Sequence, residues 1–170
     1  DCGWINGPTM AVELRRIAAG QPHVPRSPAS VGGPITGDRN VGGWGTKGIR
    51  YGAEFGWVPE SMWPGNAIDR RYDTAETRAV RAKYQVDDWL DCRPRNFDEM
   101  MTCLLLRLPG MRADMRWRHL VACMDPLYLN TGRFAVLCPN SGLGRDRNGL
   151  TILDEPFGGP DESLFVSVTT

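Results

Sequence analysis

The sequence has no excess of charge of either sign. Twenty Lys and Arg residues balance twenty Asp and Glu residues, so the formal net charge is zero. Without a basic excess the chain lacks the electrostatic attraction that is typical of nucleic-acid-binding and membrane-surface proteins. No apolar run approaches the ~18 residues that a transmembrane helix needs. We therefore expect no nucleic-acid partner and no membrane partner.

Metal-ligand spacing is also missing. No C-x-x-C pair occurs, and an odd number of cysteines does not indicate a disulfide framework. We expect no metal site and no cofactor, and we expect most of the thiols to be buried and free. The cysteines are Cys2, Cys92, Cys103, Cys123 and Cys138.

Secretion signals are absent as well. The sequence contains no Asn-x-Ser/Thr acceptor, and no signal peptide precedes the domain. It begins at Asp1 without a methionine, so we expect either processing or further residues upstream. These features favour a cytoplasmic or virion-associated protein.

The order of the segments predicts an α+β fold. With 170 residues, 41% of them hydrophobic, the chain can form a single domain with a substantial core. Helical patterns dominate up to about residue 108, and short apolar strand patterns dominate from about 109 to 170, which is the order of a segregated α+β domain. Small arginine clusters such as Arg15-Arg16 and Arg112/Arg116/Arg118 are expected on solvated faces.

Three helices are expected, together with a more polar helical stretch over 73–84. The first follows Cys2, with Pro8 in its first turn, Gly20 at its end, and an apolar face of Met10, Leu14, Ile17 and Ala18. The second spans roughly 45–55 and carries glycines every four residues. The third begins after Asn96, a capping residue with a glutamate three positions later, and stops at Pro109. The Pro- and Gly-rich stretch 21–39 is expected to be an ordered loop, and 85–92 a strand.

A hairpin is predicted in the second half of the chain. Residues 120–124 and 134–138 are short apolar runs, and Asn130-Thr131-Gly132 between them has turn chemistry. His119 would begin one strand, and Asn140 would follow the other. In an antiparallel pair the two residues would lie at the same end, where the asparagine can hold the imidazole in one tautomer.

An oriented imidazole needs only a thiol to form a nucleophile–base pair. Cys2 is the candidate, because it comes just before a helix whose unpaired N-terminal amides favour a thiolate. A single terminal cysteine can equally be an inert small hydrophobic residue. His23 is the other histidine in the sequence, and its proline-flanked surface setting makes it the weaker candidate for a base.

Five blocks in order resemble the papain-like (C1-type) cysteine peptidases. They are Cys2 before a helix, Asn40-Val-Gly42-Gly43 opening a second helix, Gly56-Trp57-Val58 with Trp63-Pro64, His119-Leu-Val-Ala, and Asn140-Ser141 with a loop ending at Asn148-Gly149-Leu150. The resemblance spans essentially the whole chain. It implies a helical left part with the central helix after Cys2, and a β-rich right part carrying His119 and Asn140.

The resemblance also implies roles for single residues. Cys2 would be the nucleophile, His119 the general base and later the acid, and Asn140 the residue that orients the imidazole. Gly42 and Gly43 would offer bare backbone to an extended peptide or protein substrate, and Trp44, Arg118 and Leu120 would lie near the pocket for the residue before the scissile bond. The family's oxyanion-hole glutamine would lie upstream of Asp1.

Two functions are the main alternatives for this pattern, and another Cys-His hydrolase, such as a cell-wall amidase or an isopeptidase, is a third. The first is a cysteine hydrolase, a peptidase that works through a Cys-His-Asn triad and a thioester acyl-enzyme. The second is a papain-like module that serves for binding or assembly, with assembly partners in a larger particle such as a virus or phage. Sequence departures from the family, such as Gly3 after Cys2 and Gly142 after the Asn-Ser pair, keep the second alternative open.

Overall fold

The computed structural model describes residues 6–114, 119–139, 149–155 and 159–169. Five α-helices lie in the described part of the chain, and a 3₁₀ turn, Arg70–Tyr72, precedes the fourth. The helices are α1 (Asn6–Ala18), α2 (Ala29–Thr36), α3 (Gly45–Glu54), α4 (Ala75–Arg81) and α5 (Phe97–Leu105). None of these helices is both long and apolar enough to cross a membrane.

Seven strands form two antiparallel sheets. The strands are β1 (Val86–Asp91), β2 (Gly110–Asp114), β3 (His119–Cys123), β4 (Asp125–Tyr128), β5 (Phe134–Pro139), β6 (Leu150–Asp154) and β7 (Glu162–Thr169). The larger sheet has the order β1-β7-β2-β3, and the smaller one has the order β4-β5-β6. The chain is thus an α+β protein, as the sequence predicts.

The larger sheet is buried on both faces. On one face Met111, Leu120 and Leu164 pack with side chains from α1, α2 and α3. On the other face Val121 and Phe165 pack with α5 and with the smaller sheet. Successive residues of a strand point to opposite faces, so β3 and β7 each contribute to both cores.

Local sequence signals account for several elements. Asn96 caps α5 by accepting the Glu99 backbone N–H at 3.0 Å, as predicted. Gly20 adopts a φ of 73° just after α1, which confirms its place at the helix end. The Trp57 ring lies against Gly52 of α3, where a Cβ would overlap it, and its indole N–H donates to Thr9 at 3.0 Å.

The predicted hairpin is wrong in its pairing. The turn around Gly132 joins β4 to β5, with Tyr128 opposite Phe134 and Asp125 opposite Leu137. β3 pairs with β2 in the other sheet, with His119 opposite Asp114. The strand predicted to continue to 124 ends at Cys123. The chain then enters the smaller sheet, because a turn sequence by itself does not determine which strands pair.

Three further expectations are wrong. The loop predicted over 21–39 contains α2, which includes Pro34 in its interior. The apolar face predicted for α1 is not the buried one, because Ile17 is 50% exposed whereas Ala11 and Val12 are fully buried. The arginine clusters are not uniformly solvated, since Arg16 and Arg112 are buried.

Candidate active site

The start of α1 lies against the start of β3. Gly7 approaches Leu120 so closely that a Cβ on Gly7 would overlap the leucine side chain. Leu120 is 5% exposed and follows His119 directly. Because glycine has no Cβ, the helix backbone can reach the strand at this point. The segment that follows Cys2 in the sequence therefore runs beside the strand that carries the histidine.

The start of α3 meets the same leucine from another direction. A Cβ on Gly45 would lie 2.8 Å from Leu120 Cδ1 and 2.9 Å from Met111 Sδ. Both distances are shorter than normal carbon contacts, so only glycine fits here without movement of its neighbours. Leu120 is consequently the point where α1, α3 and β3 converge.

The predicted substrate-binding glycines lie next to this point. Gly42 and Gly43 belong to the exposed segment that leads into α3, and a Cβ on Gly42 would have no neighbour within 4 Å. Trp44 is 43% exposed and precedes the first residue of α3. Bare backbone and an exposed indole ring therefore border the convergence of the three elements.

Glu162 fixes the start of α3 to β7. Its carboxylate accepts the backbone N–H of Gly45 at 2.8 Å through Oε2 and that of Thr46 at 2.8 Å through Oε1, and it also accepts the Thr46 hydroxyl. Trp44 at the N-cap position makes no side-chain cap bond. A carboxylate is favoured there, since the first amides of a helix are unpaired and carry partial positive charge.

A shallow pocket of about 400 Å³ lies beside Trp44, between the start of α3 and the end of β1. Lys47, Arg50, Asp91 and Glu162 contribute charged groups to its lining. Burial and the negative charge of Glu162 raise the pKa of Asp91, and Arg50 opposes this shift. The pocket thus combines an aromatic wall with groups of both signs.

His119 occupies the first position of β3 and is half-buried. Its strand register is set by β2, in which Ala113 faces Leu120 and Asp114 faces His119. His23, the competing histidine, lies in the segment after α1, with its side chain 56% exposed and its Nε2 3.9 Å from Glu13 Oε2. Of the two histidines, His119 is the one next to Leu120, the point where α1, α3 and β3 converge.

Three of the predicted site residues lie outside the described residues. They are Cys2, Arg118 and Asn140. Of the others, Leu120 lies against Gly7 and Gly45, His119 directly precedes Leu120 in β3, and Trp44 directly precedes Gly45. The distances within the triad stay a prediction.

Known structures with the same architecture match almost the entire chain. Xylellain, a cysteine protease from Xylella fastidiosa, is 16% identical with a TM-score of 0.71, over 97% of this chain and 79% of that one. Bromelain from Ananas comosus, solved with the inhibitor E64, is 17% identical with a TM-score of 0.70, and the match covers 98% of this chain and 90% of the bromelain chain. The chain has a papain-like fold.

A further structural match covers a smaller share of its own chain, and comparisons by sequence give no match. Procathepsin L 3 of Tenebrio molitor matches with a TM-score of 0.73 and 15% identity, and 97% of this chain spans 62% of that one. No protein-family model matches the sequence. No curated protein matches it either. Identities of this size establish the papain-like fold and leave the chemistry to be argued from the residues.

Within the papain-like fold, four thiols belong to the core between α5 and the two sheets. Cys92, Cys103, Cys123 and Cys138 are free and buried, as predicted. Burial raises the pKa of Cys92 to about 12, and it also raises those of Cys103 and Cys123. A thiol that stays protonated at neutral pH is a poor nucleophile, so none of these three is suited to covalent catalysis.

Glu162 is a residue whose role the sequence does not reveal. It precedes the apolar β7, and nothing local indicates that its carboxylate would serve a helix start 116 residues earlier. The one local signal is indirect: α3 has no acidic residue in its first turn and no side-chain cap.

Within the described residues, no group of three or more His, Cys, Asp or Glu side chains is arranged to hold a metal ion.

Proposed function

We propose that the chain is a papain-like cysteine hydrolase that acts on peptides or proteins. Cys2 is the nucleophile, His119 the general base and acid, and Asn140 the residue that orients the imidazole. The extended substrate lies along Gly42 and Gly43. The observation that carries this proposal is the convergence at Leu120 of the starts of α1, α3 and β3.

The convergence supports catalysis because it joins segments that are distant in sequence. Cys2 precedes α1, the glycine segment precedes α3, and His119 begins β3. A thiol-dependent hydrolase requires its nucleophile, its general base and its substrate-binding segment within a few ångströms of each other. The convergence comes from glycine-to-leucine packing, which holds the backbone elements rigidly enough to orient side chains.

The reaction is acyl transfer in two steps. His119 takes the proton of Cys2, and the thiolate attacks the scissile carbonyl carbon. The C–N bond then breaks as the imidazolium gives its proton to the leaving amine, which leaves a thioester. In the second step the imidazole takes a proton from water, and the resulting hydroxide attacks the thioester carbonyl carbon. The C–S bond then breaks, the carboxylic acid leaves, and the imidazolium returns its proton to the Cys2 thiolate.

The two histidines provide a matched test. We expect His119→Ala to reduce hydrolysis of fluorogenic peptide substrates by roughly 10²–10⁴-fold, the usual contribution of general-base catalysis. His23→Ala should leave the rate nearly unchanged, because His23 is exposed and lies beside Glu13, beyond the end of α1 that is remote from Leu120. The assay uses the natural full-length protein. Equal loss in both variants, or loss in His23→Ala alone, would contradict the assignment.

Thiol labelling tests the nucleophile separately. Limiting iodoacetamide at neutral pH should modify Cys2 first, because burial raises the pKa of Cys92, Cys103 and Cys123. Peptide mapping identifies the modified residue. Preferential labelling of a core cysteine, with Cys2 unmodified, would rule Cys2 out as the nucleophile.

A further inference from the structure

Two buried arginines lie against one tyrosine ring on the helical side of the molecule. Arg16 is in the last turn of α1, and Arg26 lies in the segment that follows this helix. The guanidinium carbons are 5.4 Å and 5.0 Å from the centroid of the Tyr84 ring. Arg16 is 9% exposed and Arg26 is 2% exposed. Two like charges are therefore gathered in one buried location.

Their hydrogen-bond donors lack acceptors. Nε and Nη1 of Arg16, and Nε and Nη2 of Arg26, are buried and have no partner among the described residues. Glu13 is the neighbouring carboxylate, but its Oε1 accepts the Arg26 backbone N–H at 2.8 Å. Burial and the charge of Arg16 lower the pKa of Arg26 to about 10, so the Arg26 guanidinium stays protonated at neutral pH.

This arrangement is unfavourable unless something compensates for it. Buried charges are normally paired, because removing an ion from water without a partner carries a large desolvation penalty. The cation–π contacts with Tyr84 offset only a small part of that penalty. Buried donors without an acceptor are rare in native proteins, and a bound ion is one way in which such donors are satisfied.

A third side chain with unused hydrogen-bonding capacity belongs to Gln21, just beyond the end of α1. The Gln21 backbone N–H donates to the Arg16 carbonyl at 3.0 Å, which brings Gln21 to the end of α1. Its side-chain oxygen is buried without a partner among the described residues. The two ends of an amide side chain are interchangeable by rotation, so Gln21 can present an N–H donor instead. The two guanidinium groups and the Gln21 amide then all present donors, and Glu13 is the neighbouring carboxylate.

We propose that Arg16 and Arg26, with Gln21, bind a small tetrahedral oxyanion of the phosphate or sulfate class. Guanidinium groups donate paired N–H bonds whose geometry matches such oxygens. The site is independent of the proposed hydrolase chemistry, and neither arginine belongs to the candidate active site.

Thermal unfolding of the intact protein tests the site directly. Sodium phosphate and sodium sulfate are titrated against sodium chloride at matched ionic strength. A ligand that binds only the folded state should raise Tm in proportion to the logarithm of its concentration once this exceeds Kd, by roughly 5–10 °C at a hundredfold excess over Kd. O-phosphoserine in a parallel titration distinguishes a site open to phosphorylated groups from one restricted to free ions. No rise beyond that with chloride would overturn the proposal.

Substitutions locate the effect. Arg16→Met and Arg26→Met keep most of the apolar stem and remove the charge, so the phosphate-dependent rise should disappear in both. Arg78→Met is the control, because Arg78 is an exposed guanidinium already paired with Asp73 at 2.9 Å, and the rise should remain. If a methionine variant does not fold, Arg16→Lys should need at least about tenfold more phosphate for the same rise in Tm, because lysine lacks the paired donors. A rise retained in the Arg16 and Arg26 variants would refute the site.

Discussion

Glu162→Gln should destabilise the protein by about 2–4 kcal/mol. The carboxylate accepts two backbone N–H groups at the start of α3, each at 2.8 Å, and Glu162 is only 6% exposed. The amide has one oxygen, so it can accept one of these donors and must turn its NH₂ toward the other. Losing one charge-assisted bond costs roughly 1.5–3 kcal/mol, and losing the charge at the helix N-terminus costs a further ~0.3–1 kcal/mol.

Urea unfolding at pH 7 measures this loss as a lower midpoint at unchanged slope. Glu76→Gln is the matched control. Glu76 is also in the first turn of a helix, α4, but it is exposed, so its change should stay within about 0.5 kcal/mol. A Glu162→Gln loss no larger than that of Glu76→Gln would show that water satisfies the α3 amides, and the capping argument would fail.

Two other perturbations follow from the core. Burial raises the pKa of Cys92 to about 12, above the 9.0 of an exposed thiol. As the pH rises, the thiol of the unfolded chain therefore loses its proton before the thiol of the folded chain does. The free energy of unfolding should consequently fall between pH 9 and 12. Urea unfolding at a series of pH values should show the free energy of unfolding falling by up to about 1.4 kcal/mol per pH unit for each such thiol. The fall with pH should be shallower in Cys92→Ala, and an identical fall would contradict the argument. Gly7→Ala places a methyl group against Leu120 and should cost about 1–3 kcal/mol in the same assay. Gly42→Ala, which meets open space, should cost under about 0.5 kcal/mol, and an equal loss in both variants would refute the packing argument.

Elements with complete local signals can be predicted from the sequence. The Asn96 cap with Glu99 three residues later, followed by apolar residues at helical spacing, identifies α5. Strand β1 is likewise confirmed within the predicted range 85–92. In both elements the information lies within about a dozen neighbouring residues, so no knowledge of distant partners is needed.

Elements defined by distant partners lack such signals. Strand β2 contains Arg112 and Asp114, whose polar character hides a strand, although both are almost fully buried. The pairing of β3 with β2 depends on burial of the larger sheet on both faces, which no short window contains. The same applies to Glu162, whose role depends on a helix start far away in the sequence.

The candidate site also has one part that the sequence predicts and one part that it does not. Resemblance to a family suggests His119 and the glycines before Trp44, and the folded chain brings their elements together around Leu120. The packing that achieves this, glycine against leucine, has no recognisable motif. It depends on contacts between backbone elements that are far apart in the sequence.

The position of β7 has a consequence for how the chain can fold. The last strand lies inside the larger sheet, between β1 and β2, and α1 packs against it. Until residues 162–169 have left the ribosome, β1 and β2 lack their shared neighbour and both keep an unpaired edge. Completing the sheet then requires a strand to insert between elements made earlier, and such non-local pairing is slow. A chain that lacks β7 would expose these edges, and exposed strand edges favour aggregation.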